Sequence, residues 1–262
     1  MVQKRGLNRN QLKYLVIVAM LIDHIAWAFV PMGSALGQVM HFIGRLTGPT
    51  MAYFIAEGYH YTRDVRKYAL RLGIFALISW MPYTYFEYGC LPITVSAGEV
   101  LDSGTAWRFY LAKQNLTLAV CPTFGVIYTL FLGLLGIWLW DRGRCPKWCK
   151  VLGIIGLCIL SLFGDWPIFD ILYCLFLFCY RDNPRAKWTA FCITTAFCCL
   201  DLLFAEPWWL AVFQFGIFMV PILIQFGYNG ESGSKKPVHK WFFYIFYPAH
   251  LLILGLLKWA VF

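Results

Sequence analysis

Leu21-Ile22-Asp23-His24-Ile25 lies inside an apolar run, Leu12 to Val30, long enough to cross a bilayer. Asp alone at the middle of a membrane helix costs about 2.5–3.5 kcal/mol on insertion scales. A chain that keeps an acid and an imidazole there uses them, or hides them against polar partners in a bundle interior. Other apolar stretches offer partners at similar depth: Arg45 in the second and His250 in the last. Imidazole takes up a proton near neutral pH. A guanidinium in a dry site stabilises a developing oxyanion. A carboxylate fixes the guanidinium. The plainer reading is a structural Asp23–Arg45 ion pair beside hydrogen-bonded core histidines. Adjacent helical residues point about 100° apart, so Asp23 and His24 are expected to face different partners rather than to form a dyad. His250 follows Pro248, which removes one helical hydrogen bond at that depth.

The elements that must position these groups follow from composition. The chain has 262 residues, 60% hydrophobic, 19% aromatic and 13% charged, with net charge +9; its mean hydropathy is +0.64. Soluble domains hold about 25% charged residues. The reading is an all-α polytopic membrane protein: the apolar runs are continuous and lack period-2 alternation, which favours helices over a barrel. Nine segments can be drawn, at 12–30, 38–60, 68–87, 116–140, 150–164, 166–180, 188–205, 207–227 and 241–260. The fifth and sixth rise only about 22 Å against about 30 Å of hydrocarbon, so they are a short tilted hairpin or a re-entrant pair. The chain reads as one transmembrane domain over 1–262.

Basic residues set the orientation. With the N-terminus inside, the inner segments hold Lys4, Arg5, Arg9 and Lys13; Arg63, Arg66, Lys67 and Arg71; Arg142, Arg144, Lys147 and Lys150; Arg181, Arg185 and Lys187; and Lys235, Lys236 and Lys240. The outer loops hold only Arg108 and Lys113. The positive-inside rule gives N-in, C-out and nine crossings. This asymmetry accounts for the positive charge without a nucleic-acid partner. His24 and Arg45 then lie about 9 Å below the same outer surface, with His41 above Arg45. The longest stretch outside a span, Tyr88 to Asn115, carries Glu99 and Asp102, has Glu87 at its edge, and is expected to be an exterior loop.

The inner mouth is basic. Glu57 and His60 end the second segment; Arg63, Arg66 and Lys67 follow; Arg71 lies in the third segment and Lys240 opens the last. Such residues act as topology signals and contacts to membrane lipid, or as a phosphate site for a nucleotide; Glu57 would pair with a cation or touch substrate. Asp165 and Asp201 fall at outer helix ends and read as solvated; Asp170 lies within a short segment. The ten cysteines read as small hydrophobes, and Cys145 and Cys149 lack a second ligand pair for zinc. No GxSxG, Walker, HExxH or Rossmann pattern names a chemistry, and no metal is expected. The buried polar groups also suit a proton-coupled transporter, though no inverted repeat is visible. A non-catalytic membrane partner of an assembly machine is the third reading.

Several motifs in order resemble the TraX family of polytopic acyltransferases, named for a plasmid protein that N-acetylates pilin. They are Met20-Leu21-Ile22-Asp23-His24-Ile25, Ile43-Gly44-Arg45-Leu46, Ala56-Glu57-Gly58-Tyr59, Thr62 to Ala69, Arg71-Leu72, Phe75 to Ser79, and Lys240 through Leu252. Gly125 stands where the family pattern has asparagine, and 88–115 and 180–235 match weakly. The resemblance implies a bacterial cytoplasmic-membrane enzyme of the transmembrane acyltransferase superfamily. It would move an acetyl group from cytoplasmic acetyl-CoA to an amine or hydroxyl acceptor at the outer face, such as a peptide or pilin-like N-terminus, a small amine or a glycan. The expected catalytic set is His24, Asp23, Arg45 and His250, with His24 as base or as acetyl carrier; the expected donor set is Glu57, Arg63, Arg66, Lys67, Arg71 and Lys240. Oligomeric state is not set by the sequence.

Overall fold

The computed structural model describes residues 6–97, 109–113, 116–204 and 207–261. Lys4, Arg5, Glu99, Asp102, Arg108 and the side chains of Lys113 and Asp201 lie outside what is described. The described chain is mostly helical, and each of the nine apolar segments contains a helix. Helix α1 (Arg9–Phe29) opens on a reciprocal cap. Asn8 accepts from the backbone N–H of Asn10 and Gln11, and the Gln11 side chain accepts from the N–H of Asn8 at 3.0 Å. Two orphan donors of the first turn are thereby satisfied.

The second segment is not one helix. It divides into α2 (Ala35–Gly44) and α3 (Thr47–Tyr61), with Arg45 and Leu46 at the break. Pro49 has no N–H to give the Arg45 carbonyl four residues back, so the regular ladder stops there. The end of α2 tightens instead: Leu46 N–H donates to Ile43 O, three residues back, at 3.2 Å. Arg45 therefore sits at a helix break rather than mid-helix, which frees its side chain to turn toward α1.

Helix α4 (Val65–Tyr88) is capped by Asp64 and ends on Gly89 at φ +64°, a left-handed position that favours glycine. A three-stranded antiparallel sheet spans the expected exterior loop and the first residues of the fourth apolar segment, a correction to the all-helical reading. Its strands are β1 (Ile93–Ala97), β2 (Phe109–Lys113) and β3 (Leu116–Val120), in spatial order β1-β3-β2, with Val120 opposite both Ile93 and Phe109. The expected helix from 116 accordingly begins only at α5 (Val126–Arg142).

Helices α6 (Lys147–Ser161), α7 (Phe169–Cys179) and α8 (Pro184–Cys198) follow. At 15 and 11 residues, α6 and α7 rise only about 22 and 16 Å. Helix α9 (Trp208–Gly227) is wound tightly over its first eleven residues and loosely over its last five. Helix α10 (Pro237–Val261) runs through Pro248 without interruption. The core lies where α5 and α7 pack together and against α3, with Leu134, Ile137, Ile171, Tyr173 and Cys174 buried; α1 packs on α2, α3 and α10, and α4 on α5 and α10.

Among the described residues three helices are long and apolar enough to cross a membrane: α1, α9 and α10. The outward faces of α4 (Leu70, Ile74, Leu77, Ile78) and α6 (Val151, Leu152, Ile155, Ile159) are also large, apolar and exposed. Such faces suit hydrocarbon rather than water.

Candidate functional site

Asp23 is 8% exposed and is held from two sides by the broken helix. Its Oδ1 accepts from His41 Nδ1 at 2.7 Å, and its Oδ2 accepts from Arg45 Nη2 at 3.0 Å. His41 and Arg45 are one helical turn apart, so α2 presents both to the same carboxylate. Gly44 makes this approach possible, because a Cβ there would overlap the Asp23 carboxyl group. Gly44→Ala is expected to push α2 off α1 and destabilise the protein by about 1–3 kcal/mol, the usual range for overpacking. Thermal melting in detergent checks this, and an unchanged midpoint would contradict the close packing.

The Arg45 guanidinium lies between two rings, with its central carbon 4.8 Å from the Trp166 centroid and 5.0 Å from that of Phe213. Its Nε and the Nε2 of His41 are buried without a hydrogen-bond partner. Trp166 comes from the turn between α6 and α7, where Trp166 and Ile168 both have positive φ, at 56° and 65°. Backbone strain of this kind persists only where surrounding structure imposes it. Here it tucks Asp165 and Trp166 back toward α1. Asp165 is therefore not a solvated helix end: it lines a cavity with Asp23 and Arg45, and burial pushes its carboxyl group up to about 6. Asp170 is fully buried; its Oδ2 accepts from Thr129 Oγ1 at 2.7 Å, and its Oδ1 has no partner.

His24 and His250 meet each other and not Asp23. His250 Nε2 lies 3.1 Å from His24 Nδ1, with ring centroids 4.9 Å apart. The separation expected for Asp23 and His24 is what the structure has: one faces α2, the other α10.

Two cavities run along the bundle. One, of about 230 Å³, lies at the end where α4 finishes and is lined by Asp23, His24, Arg45, Glu87 and Asp165, among others. The other, of about 460 Å³, opens where α1, α4 and α10 begin. Met20, Thr47 and Val126 line both, so the two meet end to end. The larger carries Arg9, Lys13, Arg71, Lys235, Lys236 and Lys240 on its wall, and no Asp or Glu among its described lining residues.

The expected donor set is divided by this geometry. Arg71 and Lys240 line the large cavity, whereas Arg63, Arg66 and Lys67 are exposed and outside it. Lys67 pairs instead with Asp64 at 3.3 Å, and its backbone N–H holds the Asp64 carboxyl group below the usual carboxylate range. Glu57 pairs with none of the expected cations: Arg9 Nε donates to it at 3.0 Å and Tyr228 Oη at 2.9 Å. Arg71 Nε donates to Tyr244 Oη at 3.1 Å, leaving its Nη groups without a described protein acceptor. Arg9, Lys13, Lys235 and Lys236 are additional wall cations. Their clustering depends on α1 and α10 starting side by side, which the loop from 228 to 236 enforces: Arg9 N–H donates to Glu231 O, and Asn10 Nδ2 to Ser234 O. Among the described residues no three His, Cys, Asp or Glu side chains gather in a metal-binding arrangement.

Comparison with known proteins agrees with the motifs. The family model described as TraX protein matches residues 8–99 and 109–258, including the stretch 180–235 that looked weak by motif alone. A probable fimbrial assembly protein of Dichelobacter nodosus, FimC of serogroup H1, is 30% identical over 252 residues, covering 93% of each chain. No solved structure matches. With nearly its whole described length matched, this chain belongs to the TraX protein family.

Proposed function

We propose that the protein is a membrane-embedded acetyltransferase that takes its acyl group from acetyl-CoA in the large basic cavity and delivers it to an amine or hydroxyl acceptor in the smaller one. The observation that carries this reading is the pair of cavities meeting at Met20, Thr47 and Val126, with cations at one end and a histidine base at the other. In this reading the chain is one multi-pass domain of a bacterial cytoplasmic membrane, N-in and C-out, with nine crossings. The basic mouth faces the cytoplasm, where the donor is. The outward apolar faces of α4 and α6 support crossings beyond α1, α9 and α10.

The residues present fit the donor. Its phosphates need guanidinium and ammonium groups without competing carboxylates, and the large cavity has them. The free Nη groups of Arg71, stacked between Tyr68 and Tyr244, offer a fixed fork. Deeper in, Ile17, Met20, Phe54, Ile55, Leu72 and Leu130 give an apolar sleeve for a pantetheine arm. The thioester supplies the activated acyl group. On the acceptor side, His24 serves as general base, Arg45 stabilises the carbonyl oxyanion, and Asp23 holds Arg45 in place. The fimbrial role in the name of the Dichelobacter nodosus relative supports a pilin-like peptide N-terminus as acceptor.

Calorimetry of acetyl-CoA binding to the purified protein tests the donor half. Arg71→Ala removes a charge-assisted contact worth about 2 kcal/mol, so Kd is expected to rise roughly thirtyfold. The same change at Arg63 or Arg66, outside the cavity, is expected to leave Kd unaltered. Absence of binding to the wild-type protein would remove the donor site. The rival transporter reading draws on the same two cavities and predicts substrate flux in vesicles that contain no acyl donor.

A further inference from the structure

We propose that His24 and His250 are both held as the Nδ1–H tautomer and form a proton relay, with His24 Nε2 as the base open to the outer cavity and His250 Nε2 as the terminal acceptor. The use of the relay rests on the transferase reading above; the tautomers rest on geometry alone. A carbonyl oxygen only accepts. His24 Nδ1 lies 3.0 Å from Met20 O, and His250 Nδ1 lies 2.9 Å from Phe246 O. Each carbonyl is four residues back on the same helix, so each ring must carry its proton on Nδ1. A neutral imidazole has one N–H, which leaves a lone pair on both Nε2 atoms.

The two lone pairs face different places. His250 Nε2 is 3.1 Å from His24 Nδ1, which shares its proton between that nitrogen and Met20 O. His24 Nε2 bonds to no described residue, and His24 lines the outer cavity. Packing fixes both rings: His250 stacks on Phe246 at 4.9 Å and 15°, and His24 stands edge-on to Phe86 at 5.5 Å. Among the described residues no carboxylate hydrogen-bonds to either ring, because Asp23 is committed to His41 and Arg45. The other titratable groups facing this space are Glu87, Asp165 and Tyr83, on the wall of the outer cavity, and Tyr247, whose hydroxyl accepts from Val126 N–H.

With an amine acceptor, His24 Nε2 takes the N–H proton as the C–N bond forms and the C–S bond of the thioester breaks. His24 Nδ1–H passes its proton to His250 Nε2, so His24 ends neutral with Nε2–H and His250 becomes the imidazolium. His250 is 5% exposed and has no polar side-chain partner besides His24 among the described residues. Its extra proton therefore returns by the same route, and His24 Nε2–H protonates the departing thiolate. Amide and thiol are the products, and both histidines regain their starting tautomers.

Long-range 1H–15N correlation of histidine-labelled protein in detergent reads the tautomers directly, with His24→Gln and His250→Gln identifying the signals among the five histidines. Two Nδ1–H patterns are expected, and an Nε2–H pattern at either residue overturns the proposal. His250→Gln keeps an acceptor for His24 Nδ1–H but cannot take up a proton. Its kcat is expected to fall about a hundredfold, within the range of general acid–base contributions. KM is expected to hold, and a bowed dependence of rate on deuterium fraction is expected to become linear. A wild-type kcat in this variant overturns the relay and spares the transferase. Nδ1–H tautomers with no acyl transfer by the wild-type protein overturn the transferase, and with it the relay's proton source.

Discussion

His24→Ala is expected to reduce acetyl transfer by about 10²–10⁴-fold, the contribution of a placed general base, while acetyl-CoA binding stays at its wild-type level. The two effects separate because His24 lines the small cavity and the cations line the large one. The variant also leaves His250 Nε2 without its only polar side-chain neighbour among the described residues. A buried acceptor left unsatisfied costs about 1–3 kcal/mol, so some loss of stability is expected alongside the loss of rate. Transfer to a peptide amine in proteoliposomes, measured beside calorimetry and a melting curve, resolves the three quantities. Wild-type transfer by a folded His24→Ala protein would end the assignment of His24 as base or as acetyl carrier.

Much of the site was legible because the bilayer makes polar residues conspicuous. Asp23, His24, Arg45 and His250 stood out against apolar runs, and the 100° step between neighbours separated Asp23 from His24. His41 stands four residues before Arg45, a spacing that puts both on one face of α2 and makes it readable as a second partner for Asp23. The helix break was equally readable, since Pro49 stands four residues beyond Arg45. Other features needed tertiary information. Nothing local to Arg9, Lys13 or Lys235 says that α1 and α10 start side by side, and only that neighbourhood makes them one basic wall. Arg63 and Arg66 look no different from Arg71 in sequence, but Arg71 comes two turns into α4, where its side chain reaches between Tyr68 and Tyr244. Asp165 looked solvated because no pattern announces the strained turn at Trp166 and Ile168. The sheet left a weak signal: Ile93-Thr94-Val95-Ser96 and Leu116-Thr117-Leu118 alternate with period two, in runs too short to stand out beside membrane-length apolar segments.

Asp23→Ala is expected to be the most damaging single change to stability. It leaves the Arg45 charge between Trp166 and Phe213 without the carboxylate that hydrogen-bonds to it, and it strips His41 Nδ1 of its acceptor. Removing one partner of a buried ion pair costs about 3–5 kcal/mol, because the charge left behind is uncompensated. The melting midpoint in detergent should fall accordingly, and an unchanged midpoint would mean the pair is solvated. Adding Arg45→Met to Asp23→Ala removes the stranded charge, so the double variant should recover part of the loss; the interaction energy from the full cycle isolates the pair. That double variant also separates the two roles of Arg45. A protein that regains its fold but transfers no acetyl group needs the guanidinium for chemistry, as a donor to the oxyanion. If transfer returns with stability, the Asp23–Arg45 pair is only a brace between α1 and the broken helix, and His24 must do its work without an electrophilic partner from α2.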